Sequence, residues 1–349
     1  MLFPEYAGPR LVGIARLASA APRLERKRAA EYSQLECRSL LNRCSSPRMP
    51  FRWTINPYRG CEFGCRYCYA RYTHEFMELR DPEEFERKIF VKHFDKETFL
   101  SELSRVPRQE EIAIGTATDP YQPAERRFGV TRAILEVLAS ERGRRLSLTT
   151  KSDLIRRDLD LLAAIRRRNL LCVNITVTTT DETLARLLEP LAPRPALRLA
   201  AVEALAEKGI AVGVFPNPIL PGLTDSAENL DAVAAAAARA GARWLGGGVV
   251  YLKPCAQAVF FPFLQQHFPH LAPRYRRMFS RSAYLRGPYL TVIRRRLAEI
   301  RARHGLAAAP AEYVPEAGEA DPQGELFDGK GEAATYTLAT GHGDCRMMA

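Results

Sequence analysis

Between residues 51 and 251, short runs of β-branched and apolar residues alternate with longer segments of helical periodicity. The predicted strands are Phe51–Ile55, Glu111–Gly115, Leu146–Thr150, Cys172–Val177, Ile210–Phe215 and Trp244–Tyr251. Parallel neighbours need crossover connections, which helices supply, so this order predicts a parallel sheet. Because the runs are apolar on both faces, they are typical of a curled or barrel-like sheet covered by helices. The alternation therefore predicts the α/β class.

Capping residues mark the ends of several predicted helices. Helices are expected at Thr131–Glu141, Asp153–Arg168, Arg194–Lys208 and Asp225–Ala240, with two closing helices at Ala256–Arg276 and Tyr289–His304. Ser152 is a candidate N-cap of the second helix, and Gly209 and Gly241 follow the third and fourth helices as C-caps. These signals fix where the connections between the strands begin and end.

The composition divides the chain into three predicted parts. Residues 1–50 are rich in Ala, Arg and Pro, with little periodicity, and are expected to form an N-terminal extension with short helical pieces. Residues 51–305 hold the strand and helix units together with the closing helices. Residues 306–349 contain Pro, Gly, Asp and Glu and few bulky apolar residues, which predicts a flexible C-terminal tail with a docking point at Leu326 and Phe327.

Charge and hydropathy narrow the class of protein. The 51 Lys and Arg residues exceed the 40 Asp and Glu residues, which is compatible with a nucleic-acid partner and also typical of solvated helix faces. No apolar run approaches the roughly 18 residues of a spanning helix, and the first residues lack a secretory signal pattern. We therefore expect a cytoplasmic protein without membrane association. Its eight cysteines are then reduced thiols, suited to metal binding or catalysis.

Three cysteines, Cys61, Cys65 and Cys68, follow the first predicted strand in C-x3-C-x2-C spacing. In a regular helix or strand, side chains at this spacing would diverge, whereas a loop can turn all three sulfurs toward one centre. Gly60 and Gly64 permit such a turn. Thiolates select soft metals, chiefly zinc or iron–sulfur clusters.

Three interpretations of this cysteine loop (residues 60–68) compete. The first is a structural zinc site with His74 as a fourth ligand, although closed zinc sites use paired modules and no second C-x2-C or H-x3-H is present. The second is a set of three independent thiols. The third is a four-iron cluster with three protein ligands, which leaves one iron open to a small molecule. The close spacing favours the third.

The cysteine loop, with Tyr67 just before its last cysteine, resembles the signature of the radical S-adenosylmethionine (radical SAM) superfamily. Three flanking stretches are similar to its spore-photoproduct-lyase-like branch, often labelled DNA repair photolyase. They are Asn56-Pro-Tyr-Arg-Gly-Cys, Cys68-Tyr-Ala-Arg and Ile114-Gly-Thr-Ala-Thr-Asp-Pro-Tyr-Gln-Pro-Ala-Glu125. The resemblance covers about residues 37–305 and implies a partial (β/α)6 barrel of the TIM type. In such barrels the loops at the C-terminal strand ends build the site.

The resemblance also implies a chemistry. Three thiolates hold three irons of a 4Fe-4S cluster, and the amine and carboxylate of S-adenosylmethionine (SAM) chelate the fourth. An electron from a low-potential donor of the flavodoxin or ferredoxin type then breaks a carbon–sulfur bond of SAM. The resulting 5′-deoxyadenosyl radical takes a hydrogen atom from a substrate, for which the charge balance favours nucleic acid. The alternative is a nucleic-acid-binding protein with a structural metal site and no turnover.

Cofactor contacts are expected at the ends of successive strands. The resemblance assigns SAM binding to Tyr67, Gly115, Thr116, Thr118, Asp119, Lys151, Ser152, Asn174 and Thr176. A glycine lets the backbone approach a ligand, and hydroxyls with a carboxylate can fix an ammonium group. Lys151 suits a carboxylate, whereas the start of a helix would by itself disfavour its positive charge. Asn174 and Thr176 alternate with apolar residues and need polar partners inside a barrel.

Cys255 follows the sixth predicted strand and is the candidate catalytic side chain, as a hydrogen-atom donor or a second metal ligand. Spore photoproduct lyases carry a cysteine near the second strand that returns a hydrogen atom to the product radical. This chain has no cysteine between Cys68 and Cys172, and Thr116 or a neighbour stands in that place. An O–H bond is a much poorer hydrogen-atom donor than S–H. We therefore do not expect thymine-dimer repair of that type.

Overall fold

The computed structural model describes residues 11–26, 30–46 and 49–310. The helices are α1 (Gly13–Ala20), α2 (Tyr72–Glu75), α3 (Glu84–Arg87), α4 (Lys96–Ser104), α5 (Glu125–Phe128), α6 (Val130–Ser140), α7 (Leu159–Arg166), α8 (Glu182–Leu188), α9 (Pro195–Glu207), α10 (Ala227–Arg239), α11 (Pro254–His267), α12 (Ala272–Met278) and α13 (Pro288–His304). The strands are β1 (Arg23–Arg26), β2 (Glu31–Leu35), β3 (Leu41–Arg43), β4 (Trp53–Ile55), β5 (Tyr58–Arg59), β6 (Lys88–Lys92), β7 (Glu111–Ile114), β8 (Arg145–Thr150), β9 (Leu170–Thr176), β10 (Ala211–Phe215) and β11 (Trp244–Leu245). Most of the predicted tail, with Leu326, Phe327 and Cys345, lies outside the described residues.

The main sheet has the order β11-β10-β9-β8-β7-β4-β3 in the described part of the chain. Strands β4 and β7 to β11 run parallel and follow one another in chain order, while β3 pairs antiparallel with β4 at one edge. Sequential winding without a reversal is the topology of a barrel rather than of a doubly wound sheet. The prediction of an α/β fold of the partial (β/α)6 type is confirmed. The sixth strand is shorter than predicted, with isolated bridges at Val249 and Tyr251 beyond it.

The predicted helices are largely confirmed, with one error. Ser152 accepts a hydrogen bond from the Leu154 amide at 3.3 Å and caps a 3-10 turn, Asp153–Asp158, that precedes α7. The predicted helix Ala256–Arg276 is wrong as one unit, because α11 ends at His267 and α12 begins at Ala272. Pro269 has no amide hydrogen and disfavours a helical Phe268, which explains the break. None of the described helices combines the length and apolar character required to traverse a bilayer.

A second sheet, not expected from the sequence, joins the N-terminal residues to the cysteine loop. Its order is β1-β2-β6-β5 in the described residues, with β2 parallel and β5 antiparallel to β6. Tyr32 on β2 donates a hydrogen bond to Glu62 of the cysteine loop at 2.7 Å. Residues 1–50 thus contain strands that pair with later segments, as well as the helix α1. The division of the chain at residue 50 stays a prediction.

Large aromatic side chains fill the space between the last strands. Trp244 is fully buried, and its indole nitrogen donates to Asn174 Oδ1 at 3.0 Å. Trp244 lies opposite Gly213 in the sheet, where an added Cβ would fall 2.1 Å from the indole ring. Glycine at residue 213 therefore makes room for the tryptophan, because close-packed interiors have no spare volume.

We predict that Gly213→Ala destabilises the fold by about 1–3 kcal/mol through overpacking against Trp244. Urea unfolding followed by circular dichroism measures the change. In a Trp244→Leu background the same substitution should cost less, because the two residues are in contact. Equal unfolding free energies for the wild type and Gly213→Ala would show that the ring is not held where the structure places it.

Candidate functional site

The cysteine loop is clamped by backbone hydrogen bonds. The Cys61 amide donates to the Phe85 carbonyl at 3.0 Å, and the Cys68 amide donates to the Cys65 carbonyl at 3.1 Å. Gly60 has a φ of +84°, and a Cβ there would lie 2.7 Å from a backbone oxygen of β6. Only glycine fits this position without moving the chain. The turn that the sequence predicted at Gly60 and Gly64 is present, since both glycines have positive φ angles.

A buried arginine secures the far end of the cysteine loop. Arg71 donates to the Cys65 carbonyl at 3.0 Å and to the Pro82 carbonyl at 2.6 Å. Its charge is balanced by an ion pair with Glu86. A buried cation needs such a partner, so the pair and the turn stabilise one another.

Cys61 and Cys65 are buried and Cys68 is half-buried. Burial raises the pKa of Cys61, Cys65 and Cys68. The charge of Asp119 raises the pKa of Cys61 further, and that of Glu189 does the same for Cys65. A metal centre bound here must displace three protons, and its positive charge then stabilises the buried thiolates.

The geometry disfavours a zinc site with His74. Among the described residues, no group of three or more His, Cys, Asp or Glu side chains is arranged to hold a single metal ion. The His74 ring donates to the Lys88 carbonyl at 2.9 Å and packs edge-on against Phe85, and burial lowers its pKa to about 4. A four-iron cluster, in contrast, binds its thiolates through different iron atoms. Three thiols on one loop fit that donor set.

The end of β7 is tied to the cysteine loop and to β8. Gly115 has a φ of +87°, and a Cβ there would lie 2.6 Å from the Thr149 carbonyl. The side chain of Asn56 donates to the Thr116 hydroxyl at 3.1 Å. The Thr118 hydroxyl donates to the Gly60 carbonyl at 2.6 Å. These residues hold the strand end against the start of the cysteine loop.

Asp119 joins the ends of β7 and β8. Its carboxylate accepts hydrogen bonds from the Thr150 hydroxyl at 2.6 Å, the Lys151 amide at 2.7 Å and the Tyr121 amide at 2.9 Å. Burial raises the pKa of Asp119, and these donors oppose that effect. Asp119 therefore has partners within the protein, as have Ser152 and Asn174.

A buried carboxylate that the sequence analysis missed lies beneath the cysteine loop. Glu189 accepts hydrogen bonds from the Tyr67 hydroxyl and, at 2.6 Å, from the Thr178 hydroxyl. Arg198 Nη2 lies 2.5 Å from Glu189 Oε2, and Lys151 Nζ lies 3.6 Å from Oε1. The available sequence signal was a single acid within an apolar stretch after α8.

These contacts keep Glu189 ionised. Burial alone would raise the pKa of this carboxyl, but the charges of Arg198 and Lys151 and the hydroxyl donors lower it to about 2. Lys151 Nζ also lies 5.8 Å from the centre of the Tyr67 ring. The network thus brings two predicted cofactor residues, Tyr67 and Lys151, together beside Cys65. Thr176 is buried nearby, and its carbonyl accepts from Arg198 at 3.1 Å.

The candidate Cys255 lies at the start of α11, near Glu75 of α2. It is buried, and burial together with the nearby Glu75 raises its pKa to about 12. The side chain is thus a thiol rather than a thiolate at neutral pH. A role for Cys255 in catalysis stays a prediction.

Three tyrosines form a partly exposed stack next to Cys68. Tyr251 and Tyr284 are stacked with ring centres 5.1 Å apart, and the ring of Tyr69, tilted by 36°, lies 4.9 Å from that of Tyr251. The Tyr69 hydroxyl donates to the Thr116 carbonyl. The stack links the cysteine loop to the chain that follows β11.

Comparison with solved structures gives the fold independently. Spore photoproduct lyase complexed with dinucleoside spore photoproduct superposes with a TM-score of 0.57 at 15% identity, covering 78% of this chain and 79% of that one. A structure of the same enzyme with bound AdoMet and dinucleoside spore photoproduct gives a TM-score of 0.57 at 14% identity, over the same shares of the two chains. At these identities the likeness shows a shared fold.

Sequence comparison gives the family. The profile described as Radical SAM superfamily matches residues 55–233. The uncharacterized protein Rv2578c of Mycobacterium tuberculosis is 36% identical over 300 residues, which cover 85% of this chain and 88% of that protein. The uncharacterized protein MJ0683 of Methanocaldococcus jannaschii is 30% identical over 181 residues, covering 50% and 62%. The thiols, the sheet topology and these matches agree, and the chain belongs to the radical SAM superfamily.

Proposed function

We propose that this enzyme holds a 4Fe-4S cluster on Cys61, Cys65 and Cys68 and cleaves SAM reductively to start a radical reaction on nucleic acid. The observation that carries the proposal is the trio of thiols on one loop, with Cys61 and Cys65 buried and Cys68 half-buried, and with Lys151 and Tyr67 in contact beside Cys65. When bound, the cluster supplies the electron that breaks the carbon–sulfur bond of SAM. The protein binds and orients SAM and shields the radical from water.

Lys151 is the residue that we assign to the carboxylate of SAM. Its ammonium contacts the Asn217 carbonyl at 3.5 Å and Glu189 at 3.6 Å, and both contacts are long enough for a ligand carboxylate to compete. Arg198 alone can neutralise Glu189 once Lys151 turns to the ligand. Tyr67 stays bonded to Glu189 and forms a wall of the same pocket.

The other predicted cofactor residues are assigned to the shape of the pocket. The polar side chains of Thr116, Thr118, Asp119, Ser152 and Asn174 have hydrogen-bond partners in the protein, while Gly115 and Thr176 are packed against neighbouring strands. Because these side chains already have hydrogen-bond partners within the protein, they hold the strand ends rigid. The distance between the cysteine loop and Lys151 is thereby fixed.

We predict that Cys65→Ala removes iron while the barrel stays folded, because the loop lies outside the main sheet. Iron analysis after anaerobic reconstitution should give about four irons per chain for the wild type and a large loss in the variant. Cys37→Ala, which changes a cysteine outside the loop, is the matched control and should keep its iron. Full iron content and 5′-deoxyadenosine formation in Cys65→Ala would contradict the cluster assignment.

Lys151→Ala should raise the Kd for SAM by about tenfold or more, since a charge-assisted hydrogen bond contributes about 1.5–3 kcal/mol. Equilibrium dialysis with labelled SAM measures the Kd, and iron content should stay at the wild-type value. Lys208→Ala, at the exposed end of α9, controls for the loss of one positive charge. An unchanged Kd in Lys151→Ala would remove this residue from the cofactor pocket.

The distribution of charge supports nucleic acid as the substrate class. Residues 241–310 contain twelve Lys and Arg residues and a single acid, Glu299, so this segment accounts for the entire net charge of +11. Arg281 and Arg286 are exposed and flank Tyr284 of the tyrosine stack. In the described structure neither has a carboxylate partner. Arginines beside exposed aromatic rings suit phosphates and stacked bases.

The segment from Arg281 to Arg286, which we call the basic loop, lies next to the tyrosine stack. The Leu252 amide donates to the Ala283 carbonyl at 2.8 Å, which joins the loop to the chain after β11. Tyr251 and Tyr284 also form an isolated antiparallel bridge. Spore photoproduct lyase, whose fold is similar, has been solved with a dinucleoside spore photoproduct. A base stacked on Tyr284 would join the group of rings that includes Tyr251 and Tyr69, the residue after Cys68.

We predict that Arg281→Glu/Arg286→Glu weakens binding of a single-stranded oligonucleotide. The slope of log Kobs against log salt should become shallower by about 1.4, as two phosphate contacts are lost. Fluorescence anisotropy across a salt series measures both quantities. Arg167→Glu/Arg168→Glu, at the opposite ends of the strands, has the same charge change and should keep the wild-type slope. Equal effects of both pairs would contradict a localised nucleic-acid surface.

Formation of 5′-deoxyadenosine distinguishes the proposed enzyme from the alternative, a nucleic-acid-binding protein with a structural metal site and no turnover. The wild type, reconstituted anaerobically and reduced with dithionite, should release 5′-deoxyadenosine from SAM. An oligonucleotide-binding protein that forms none would favour the alternative.

A further inference from the structure

A groove runs along the outer side of the cysteine loop. Its cavity has a volume of about 420 Å³ and is lined by the apolar residues Phe63, Leu191 and Leu197 and by the basic residues Arg126, Arg186 and Arg194. We call it the loop-side groove. None of these six residues was assigned to SAM binding or belongs to the basic loop around Tyr284, and the groove shares one residue, Ser152, with the proposed cofactor pocket.

The wall of the loop-side groove touches the cysteine loop directly. The Leu191 amide donates to the Phe63 carbonyl at 3.2 Å, and the Arg66 amide donates to the Leu188 carbonyl at 2.9 Å. A Cβ at Gly64 would lie 3.6 Å from the Pro190 ring. The cysteine loop thus lines the groove directly through Phe63, and the rest of this wall is formed by residues 191–194, which follow the segment bonded to the loop.

The surface of the groove is apolar at its centre and basic at its rim. Leu191 is 58% exposed and Leu197 is 37% exposed, and both are among the few large apolar side chains exposed in the described residues. Arg126, Arg186 and Arg194 are also exposed. Such a surface, uncovered in the monomer, is typical of an interaction site.

The rim arginines are free to meet an acidic partner. Arg186 donates to the Pro190 carbonyl at 2.7 Å, which holds it at the rim, and none of the three arginines has an ion pair among the described residues. The acid in the groove is Asp153. A neighbouring cavity of about 520 Å³ shares Arg126 and Asp153 with the groove. Its lining includes Arg156 and Lys208, which extend the positively charged surface, and Glu207, which carries a negative charge.

We propose that the loop-side groove is the docking site of an acidic, low-potential electron carrier of the flavodoxin or ferredoxin type. The inference rests on the proposed function, because the docked carrier gives one electron to the cluster and is itself oxidised by one electron. The electron delivered there would be the one required for the proposed reductive cleavage of SAM. Small, weak interfaces are usual for electron transfer, and opposite charges speed and orient the encounter.

The test is direct binding of a purified bacterial flavodoxin to the full-length, reconstituted chain. Isothermal titration calorimetry at low salt should show that Arg186→Glu/Arg194→Glu raises the Kd by about tenfold or more. The difference should narrow as salt is added, because exposed charges are screened. Arg281→Glu/Arg286→Glu carries the same charge change on the nucleic-acid surface and should leave the flavodoxin Kd unchanged.

A second measurement compares two reductants in the same variants. Arg186→Glu/Arg194→Glu should form 5′-deoxyadenosine slowly with reduced flavodoxin and at the wild-type rate with dithionite, which needs no docking site. If the charge reversals prevent folding, Arg186→Gln/Arg194→Gln is measured in the same way.

The outcomes separate the two proposals. An unchanged flavodoxin Kd in the groove variants, or an equal rise in both pairs of variants, would overturn the docking site. Wild-type protein that forms no 5′-deoxyadenosine with dithionite would instead overturn the proposed function. A groove variant that binds oligonucleotide normally but loses flavodoxin supports the docking site.

Discussion

The buried ion pair between Glu189 and Arg198 organises the groups around the thiols. A carboxylate without solvent needs several hydrogen-bond donors or positive charges nearby. Besides Arg198, Glu189 contacts Tyr67 of the cysteine loop, Lys151 at the end of β8 and Thr178 after β9. Removing one partner of a buried pair costs about 3–5 kcal/mol, so these segments are held in one arrangement. That arrangement places beside Cys65 the ammonium group of Lys151, the residue that we propose as the partner of the SAM carboxylate.

The segment from Glu189 to Leu191 connects the buried network with the protein surface. Glu189 faces the buried network, while Leu191, two residues later, lines the exposed groove. Backbone hydrogen bonds join this segment to Phe63 and Arg66 of the cysteine loop. Residues 188–191 thus hold the cysteine loop in place and also contribute to an exposed groove with an apolar centre and a basic rim. The residues around Tyr284, which do not line this groove, are those proposed to bind the substrate.

Local patterns predicted the parts of the molecule that depend on neighbours in sequence. The six strands follow from their apolar runs, the cysteine loop from its spacing, and the cap at Ser152 from its position before a helix. The contact between Tyr67 and Glu189 spans 122 residues, and the pairing of β2 with β6 joins distant segments, so neither leaves a local signal. Asp119 shows a further limit of prediction from sequence. A carboxylate at a strand end suits ligand binding, but here it also accepts hydrogen bonds from Thr150 and Lys151 that join the ends of β7 and β8. The helix break at Pro269 was readable from the sequence.

The most direct test of the central claim is electron–nuclear double resonance on the reduced, reconstituted protein with SAM labelled with nitrogen-15 in its amino group and oxygen-17 in its carboxylate. Coordination by three cysteines leaves one iron for the cofactor, so we expect hyperfine coupling of both labels to the cluster. Cys65→Ala should show neither signal. A cluster that forms in the wild type but shows no coupling to either label would contradict an open iron site, and with it the radical chemistry proposed for this chain.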